Sequence, residues 1–386
     1  MQTLFAAIFN VDNDIHFMQF ALESAKRGEG RVEPNPMVGC VLVQNGRIVG
    51  KGFHKRYGGP HAEVEAIRNA GEAAQGATAY VTLEPCSHHG KTPPCTEAIL
   101  AAGIRRVIVA MKDPNPQVDG RGLKFLRNAG LEVRENVLEE KARYLLAPYL
   151  TLLEKRRPWI VAKWAMTLDG RTASRTGSSR WISGEESRLI VHRIRARMDG
   201  ILVGAGTVRA DDPSLTVRLP EGESFPRVPL RIVLDSRADI SMESRLMRTA
   251  DKTPTLIVIG SGVEPEKIKM LQETGCEVLR VESETGDKEI RYRKQIETLL
   301  EHLGKRKTTN LLVEGGSRIF GLLFDARLID EVHVFIAPKM IGGAEAAPVI
   351  GGKGLPDMGF PCLLESPRVS IVDQDIYVSD RTRYPG

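Results

Sequence analysis

The chain has 386 residues, 42% of them hydrophobic and 27% charged, with a formal net charge of +5. That length exceeds one average core and implies two domains; the small charge, with no Lys/Arg stripe interleaved with aromatics, excludes a large nucleic-acid footprint. No apolar run reaches the roughly 18 residues of a membrane span, and five scattered cysteines point to a reducing, cytoplasmic setting and against a disulfide framework.

Residues 1–11 lack the basic start and cleavage site of a secretion signal and read as a leader. "DIHFMQFALESAKRG" carries apolar residues at helical spacing and ends at Gly28. "VGCVLVQNGRIVGKGFH" predicts a β-hairpin turning at Asn45-Gly46. The helix "HAEVEAIRNAGEAA", the strand "ATAYVTLE", the helix "CTEAILAAG", the strand "RRVIVAM" and the helix "GLKFLRNAG" follow. Strands separated by helices of this length imply an α/β sheet covered on both faces. The stretch "YLLAPYLTLLEKRRPWI" ends in a basic run and Pro158, which divides the chain into domains 1–155 and 156–386. Beyond it α/β alternation resumes through "WIVAKWAMTLDG", "DGILVGAGTVRA", "LRIVLDS", "PTLIVIG", "EIRYRKQIETLLEHLG", "NLLVEGG", "SRIFGLLFDARL" and "DEVHVFIAPKMIGG".

Three residues of the first half have the types and places of a catalytic zinc site, which takes three N or S ligands and leaves a fourth position to water. His61 opens a helix, Cys86 follows a strand and Pro85, and Cys95 opens a helix after Pro93-Pro94. The free N–H groups of a helix start favour a thiolate. Glu63, two residues past His61, can reach the water without being a ligand and shuttle its protons. A closed structural zinc is the alternative, and it leaves Glu63 without a task. H-x-E…P-C-x-x-C is the signature of the zinc nucleobase deaminases. Here eight residues, "SHHGKTPP", replace the two between the cysteines.

With that insertion, residues 12–386 resemble the bifunctional riboflavin-biosynthesis deaminase/reductase family, on "HAEVEA", "TLEPCSHHGKTPPC" and "DPNPQVDGRGL". The resemblance implies a cytidine-deaminase-like three-layer domain followed by a dihydrofolate-reductase-like α/β domain. It also implies a deaminase substrate that is a diamino-pyrimidinone carrying a ribosylamine 5-phosphate. His88, His89 and Lys91 of the inserted loop then add donors beside the metal, suited to the substrate phosphate; a solvated polar loop is the plain alternative. Asn35, in the stiff "EPNPMVG", suits ring or ribose recognition, and the resemblance makes it a substrate contact. Asp113 and Asn115 either line the site or only form a turn.

The second half holds two Gly-rich turns between a strand and a helix. "ILVGAGTVRADDP" lacks the third glycine of the dinucleotide fingerprint. "NLLVEGGSRIFGLLF" has the better pattern, a buried strand, Gly315-Gly316 and a helix opening at Ser317 as an anion site. "KWAMTLDGR", "SRWIS", "GAGTVRADDPSLTVR" and "VEGG" fall in the order of the family's reductase domain. By that resemblance Ala165, Trp181, Thr207, Asp211 and the turn Gly316, Ser317, Arg318, Ile319, Phe320, Gly321 and Leu322 contact NADPH. Ser179, Arg195, Leu215, Arg218 and Glu314 contact substrate, with Arg195 and Arg218 as phosphate forks. The implied reaction is hydride transfer to C1′ of the ribosylamine, giving a ribityl chain. Lys163, Glu314 and Asp211 are all candidates to supply the proton. The expected partners are zinc, NADPH and a small phosphorylated pyrimidine, with no nucleic acid or membrane; a homo-oligomer is expected, its order open. A tRNA deaminase fused to a binding module should carry a more basic surface, and the phosphate-seeking arginines do not favour a folate reductase.

Overall fold

The computed structural model describes residues 2–283 and 287–385, with the side chains of residues 2–12 outside the description. Two compact units divide it, Met1–Lys155 and Arg156–Gly386.

In the first unit the chain runs α1 (Gln2–Lys26), β1 (Gly39–Gln44), β2 (Arg47–Phe53), α2 (Ala62–Ala70), β3 (Thr78–Val81), α3 (Cys95–Ala101), β4 (Arg106–Val109), α4 (Arg121–Asn128), β5 (Glu132–Arg134) and α5 (Glu139–Lys155). Of the residues read as a leader, 2–11 are the first turns of α1, which continues without a break into the amphipathic helix. The hairpin turns at Asn45 and Gly46, both at positive φ (51° and 73°), the pattern a type I′ turn needs. The sheet order is β2-β1-β3-β4-β5, antiparallel from β2 to β3 and parallel from β3 to β5.

Alternation along the strands builds three layers. Val41, Val43, Tyr80 and Ile108 pack under α1 and α5, while Cys40, Leu42, Ala79, Val81, Val107 and Val109 pack under α2, α3 and α4. Asp14 pins α1 to the far end of the sheet. Its buried carboxylate accepts bonds from the guanidinium groups of Arg106 and Arg134, at 2.7–3.0 Å, and from the Tyr80 hydroxyl at 2.9 Å.

The second unit continues with β6 (Trp159–Thr167), α6 (Glu185–Ala196), β7 (Gly200–Gly204), α7 (Ala205–Asp211), β8 (Leu230–Leu234), β9 (Thr255–Gly260), α8 (Pro265–Glu273), β10 (Glu277–Val281), α9 (Lys288–Lys305), β11 (Asn310–Val313), α10 (Ser317–Asp325), β12 (Glu331–Ala337), β13 (Leu363–Leu364), β14 (Arg368–Val372) and β15 (Asp375–Arg383). The sheet order is β10-β9-β8-β7-β11-β6-β12-β15-β13, with β14 on β15. Every pairing from β10 to β12 is parallel. Strands buried on both faces explain the continuous apolar runs "ILV", "IVL" and "LIVI". The chain winds outward from β7 to β10, then returns to place β11 between β7 and β6. That reversal leaves a crevice at the carboxyl ends of the strands, where open parallel sheets bind ligands.

Candidate active sites

In the first unit α2 begins immediately after His61, its N-cap, so Glu63 sits in the first turn. Cys95 is the first residue of α3, after Pro94. Cys86 lies in the loop that leaves β3, and the Cys95 backbone N–H points at its Sγ, 3.4 Å away. The Nδ1 of His61 stands 3.2 Å from Cys95 Sγ and 3.5 Å from Cys86 Sγ. The three ligand atoms all lie within 4.8 Å of one another. A tetrahedral zinc with ordinary Zn–N and Zn–S bonds separates N from S by about 3.5 Å. The donor set therefore fits zinc in chemistry and in spacing.

Electrostatics fit as well. Hydrogen bonding from the Cys95 thiol, then from His61, outweighs burial and holds the Cys86 thiol well below its ordinary range. Glu63 is 3% exposed, and burial pushes its carboxyl up from the ordinary range. Its Oε2 is sealed from solvent with no hydrogen-bond partner, and the Cys95 thiol lies within bonding reach of the carboxyl. A buried carboxyl oxygen left unbonded beside a donor triad is a group poised for a proton, at a cost in stability.

The other first-unit candidates are distributed unevenly. Asn35 Nδ2 faces His54 Nε2 at 3.2 Å, and His54 Nδ1 faces the Pro60 carbonyl at 2.9 Å. If Nδ1 donates to that carbonyl, Nε2 is an acceptor and turns the Asn35 amide oxygen outward. His54, stacked edge-on to His61 at 5.4 Å, carries no motif that sequence reading could have used. His88 is half-buried, with Nδ1 sealed and unbonded, whereas His89 is exposed and the Lys91 ammonium lies 3.9 Å over the Tyr57 ring. Asp113 and Asn115 serve their turn: Asp113 Oδ1 accepts from the Asn115 N–H, and Asn115 Oδ1 from the Gln117 N–H. Tyr149 of α5 also donates to Asp113. Glu84 of "TLEPC" clamps the same loop, accepting backbone N–H groups of Asp113, Gly120, Gly122 and Leu123.

The second unit holds a cleft of about 1070 Å³ at the carboxyl ends of its parallel strands. Lys163 and Ala165 of β6, Gly204 at the end of β7, Glu314 after β11 and Phe335 of β12 face it. So do Ser179, Trp181, Arg195, Thr207, Asp211, Leu215 and Arg218, together with Gly316, Ser317, Arg318, Ile319, Phe320 and Leu322. Gly321 is outside the lining. A Cβ there would stand 2.4 Å from the Gly351 carbonyl carbon, so its task is close packing of α10 against that segment. The two Gly-rich turns abut, since a Cβ on Gly316 would lie 3.3 Å from Thr207 Oγ1. Ser179 and Asp211, expected on different ligands, are joined by a 3.0 Å hydrogen bond from the serine hydroxyl. Trp181 stands 64% exposed at the mouth, with the Arg188 guanidinium 4.5 Å over its ring.

Arg195, expected as a phosphate fork, is paired with Glu314, also expected at the substrate. Its Nε and one Nη each donate to an oxygen of Glu314 at 2.6 Å, and the other Nη reaches the Thr216 carbonyl at 3.1 Å. Arg195 and Lys163 overcome the burial of Glu314 and hold its carboxyl down at about 2. Lys163 has its pKa lowered, chiefly by burial, against the pull of Glu314. His192, one helical turn before Arg195 and hydrogen-bonded to Arg218, also lines the cleft. The i, i+3 spacing from Arg195 was the sequence signal for it.

A thiol–imidazole triad with a buried acid in one unit, and a crevice with a glycine turn at a helix start in the other, define a deaminase joined to a reductase. Residues 11–111 match the cytidine and deoxycytidylate deaminase zinc-binding region, and residues 158–377 match the RibD C-terminal domain. The chain is 42% identical over 356 residues to riboflavin biosynthesis protein RibD of Aquifex aeolicus, covering 92% of this chain and 93% of that one. It is 42% identical over 339 residues to the Escherichia coli RibD, covering 85% and 89%. Among solved structures, Acinetobacter baumannii RibD matches with a TM-score of 0.81 at 34% identity, covering 97% of this chain and all of that one (100%). A Thermotoga maritima diaminohydroxyphosphoribosylaminopyrimidine deaminase/5-amino-6-(5-phosphoribosylamino)uracil reductase matches at 0.78 and 36%, covering 97% and 100%. The chain belongs to the RibD family of bifunctional deaminase/reductases of riboflavin biosynthesis. No described helix is long and apolar enough to cross a membrane.

Proposed function

We propose that this chain deaminates 2,5-diamino-6-(5-phosphoribosylamino)pyrimidin-4-one and then reduces the ribosyl side chain with NADPH, in the cytoplasm. The observation that carries the reading is the convergence of His61, Cys86 and Cys95 on one point beside buried Glu63. Those three residues would hold zinc, whose charge makes water a nucleophile at neutral pH. Glu63 would take the proton from the attacking water and deliver it to the departing amine, a role for which its raised pKa suits it. Asn35, fixed by His54, orients the ring, and Lys91 and His88 are placed on the loop nearest the triad in sequence.

In the second unit the N–H groups at the start of α10 and the Gly315-Gly316 turn would hold the cofactor pyrophosphate. The reduced nicotinamide supplies the hydride to C1′ of the ring-opened imine. As that bond forms, the C=N electron pair moves to nitrogen, which must then take a proton. Lys163 is the donor that the electrostatics favour. Glu314, at about 2, has no proton to give at neutral pH, whereas burial lowers the pKa of Lys163 and makes its proton easier to release. Glu314 opposes that shift by its charge. Incubation with the diamino-pyrimidinone, with and without NADPH, tests the whole reading: ammonia should appear in both arms and NADPH absorbance should fall in one. Ammonia release absent from zinc-loaded protein refutes it.

A further inference from the structure

The segment that leaves β12 is fixed at two places by an aspartate. Asp169, two residues beyond β6, accepts the backbone N–H of Gly342 at 2.7 Å and that of Ile341 at 3.3 Å. Asp325, the last residue of α10, accepts the N–H of Lys353 at 2.8 Å on one oxygen and that of Gly354 at 3.0 Å on the other. Gly342 and Gly354 have φ of 62° and 68°, so the chain turns at each clamp in a way that strains other residues. Between the clamps the segment joins two elements of the cleft. The Thr172 N–H donates to the Ala347 carbonyl at 3.1 Å, and the Gly351 N–H donates to the Ser317 carbonyl at 3.0 Å. Ala347 and Val349 line the cleft itself.

These bonds set an apolar stretch of chain beside the first turn of α10. A pyrophosphate at that turn, with hydride transfer beside Lys163 of β6, directs the nicotinamide toward β6 and β12 and the adenosine toward β7 and β8. The segment leaves β12, so it stands at the nicotinamide end. Both aspartates are exposed and neither lines the cleft. Backbone N–H groups released from them would be hydrated, so losing a clamp should free the segment locally and leave the unit folded. We propose that residues 341–354 form a strap that walls the nicotinamide end of the cleft, and that Asp169 and Asp325 are positioning residues that hold it for the cofactor. This rests on the NADPH reading above. When only a fraction of molecules has the strap in place, the apparent dissociation constant rises by the inverse of that fraction.

The test uses the full chain loaded with zinc. Hydrogen exchange is followed in peptides spanning residues 341–354, and the protein is titrated with NADPH and with adenosine 2′,5′-bisphosphate, which lacks the nicotinamide. In the parent, NADPH should slow exchange across the strap and the bisphosphate should not. Asp169→Ala and Asp325→Ala should each quicken that exchange and weaken NADPH by about three- to tenfold, the scale of a lost hydrogen bond. The double variant should lose about tenfold or more. All three should bind the bisphosphate within about twofold of the parent, which also shows that the unit is folded; a general loss of stability would weaken both ligands together. Glu345→Ala removes a carboxylate from the strap but neither clamp, and it should match the parent. Clamp variants that free the strap yet bind NADPH like the parent overturn the proposal, and so does an equal loss of both ligands. A parent that binds no NADPH refutes the cofactor reading instead. The exchange arm then decides the clamps alone: quickened exchange upholds them, and unchanged exchange overturns them.

Discussion

Replacing Glu63 by Gln removes one proton site and little volume. In the structure the carboxyl is 3% exposed, and its Oε2 has no hydrogen-bond partner. Removing a buried ionisable group that is poorly bonded releases a desolvation cost, so folding stability should hold or rise slightly. Catalysis should move the other way. General acid–base transfer contributes about 10²–10⁴-fold, or roughly 3–5 kcal/mol at 1.36 kcal/mol per decade, and Gln can neither accept nor return the proton. Zinc content should be unchanged, because the three ligand atoms are those of His61, Cys86 and Cys95. Reduction of pre-deaminated substrate should also be unchanged, since every residue lining the second cleft belongs to Arg156–Gly386. The assays are metal analysis, ammonia release, NADPH absorbance and a thermal melt on one preparation. Loss of zinc, or a parallel loss of both activities, refutes the assignment of Glu63 as proton shuttle.

Arg195→Met should cost about 3–5 kcal/mol by leaving Glu314 buried without its hydrogen-bonded partner, read as a lower denaturant midpoint, and Glu314→Gln in the same chain should recover most of it. Because the folded pKa of Glu314 is depressed from 4.5 to about 2, its pairing stabilises above 4.5 and is lost as pH falls toward 2; parent and variant midpoints should therefore converge in acid. Gly321→Ala forces a Cβ to within 2.4 Å of the Gly351 backbone, and should lower both the melting temperature and NADPH affinity, measured by fluorescence titration. Separate expression of residues 1–155 and 156–386 should give a zinc-binding deaminase and an NADPH-binding half, because each unit has its own core clusters; a C-terminal half that folds without binding NADPH contradicts this.

What the sequence determined by itself was local. Asn45-Gly46 dictates a hairpin because both residues tolerate positive φ, and the β11–α10 turn was readable because a buried strand, two glycines and a helix are contiguous. The zinc triad belongs here too, since each ligand stands beside its own strand end or helix start and the chemistry constrains the residue types. Residues 144–155 show the limit. They were read only as a boundary, yet they are the second half of α5, whose Leu146, Tyr149 and Leu150 complete a core layer with α1. Tertiary structure alone decided which partner each charged group meets. Arg195 and Glu314 are 119 residues apart, and Asp14 is 120 residues from Arg134. Nothing in local propensity distinguishes an arginine that will close on a carboxylate from one, like Arg218, that meets an imidazole instead. That choice depends on which strand ends the parallel sheet brings together and on how deeply it buries them, because burial makes an unpaired charge too costly to keep.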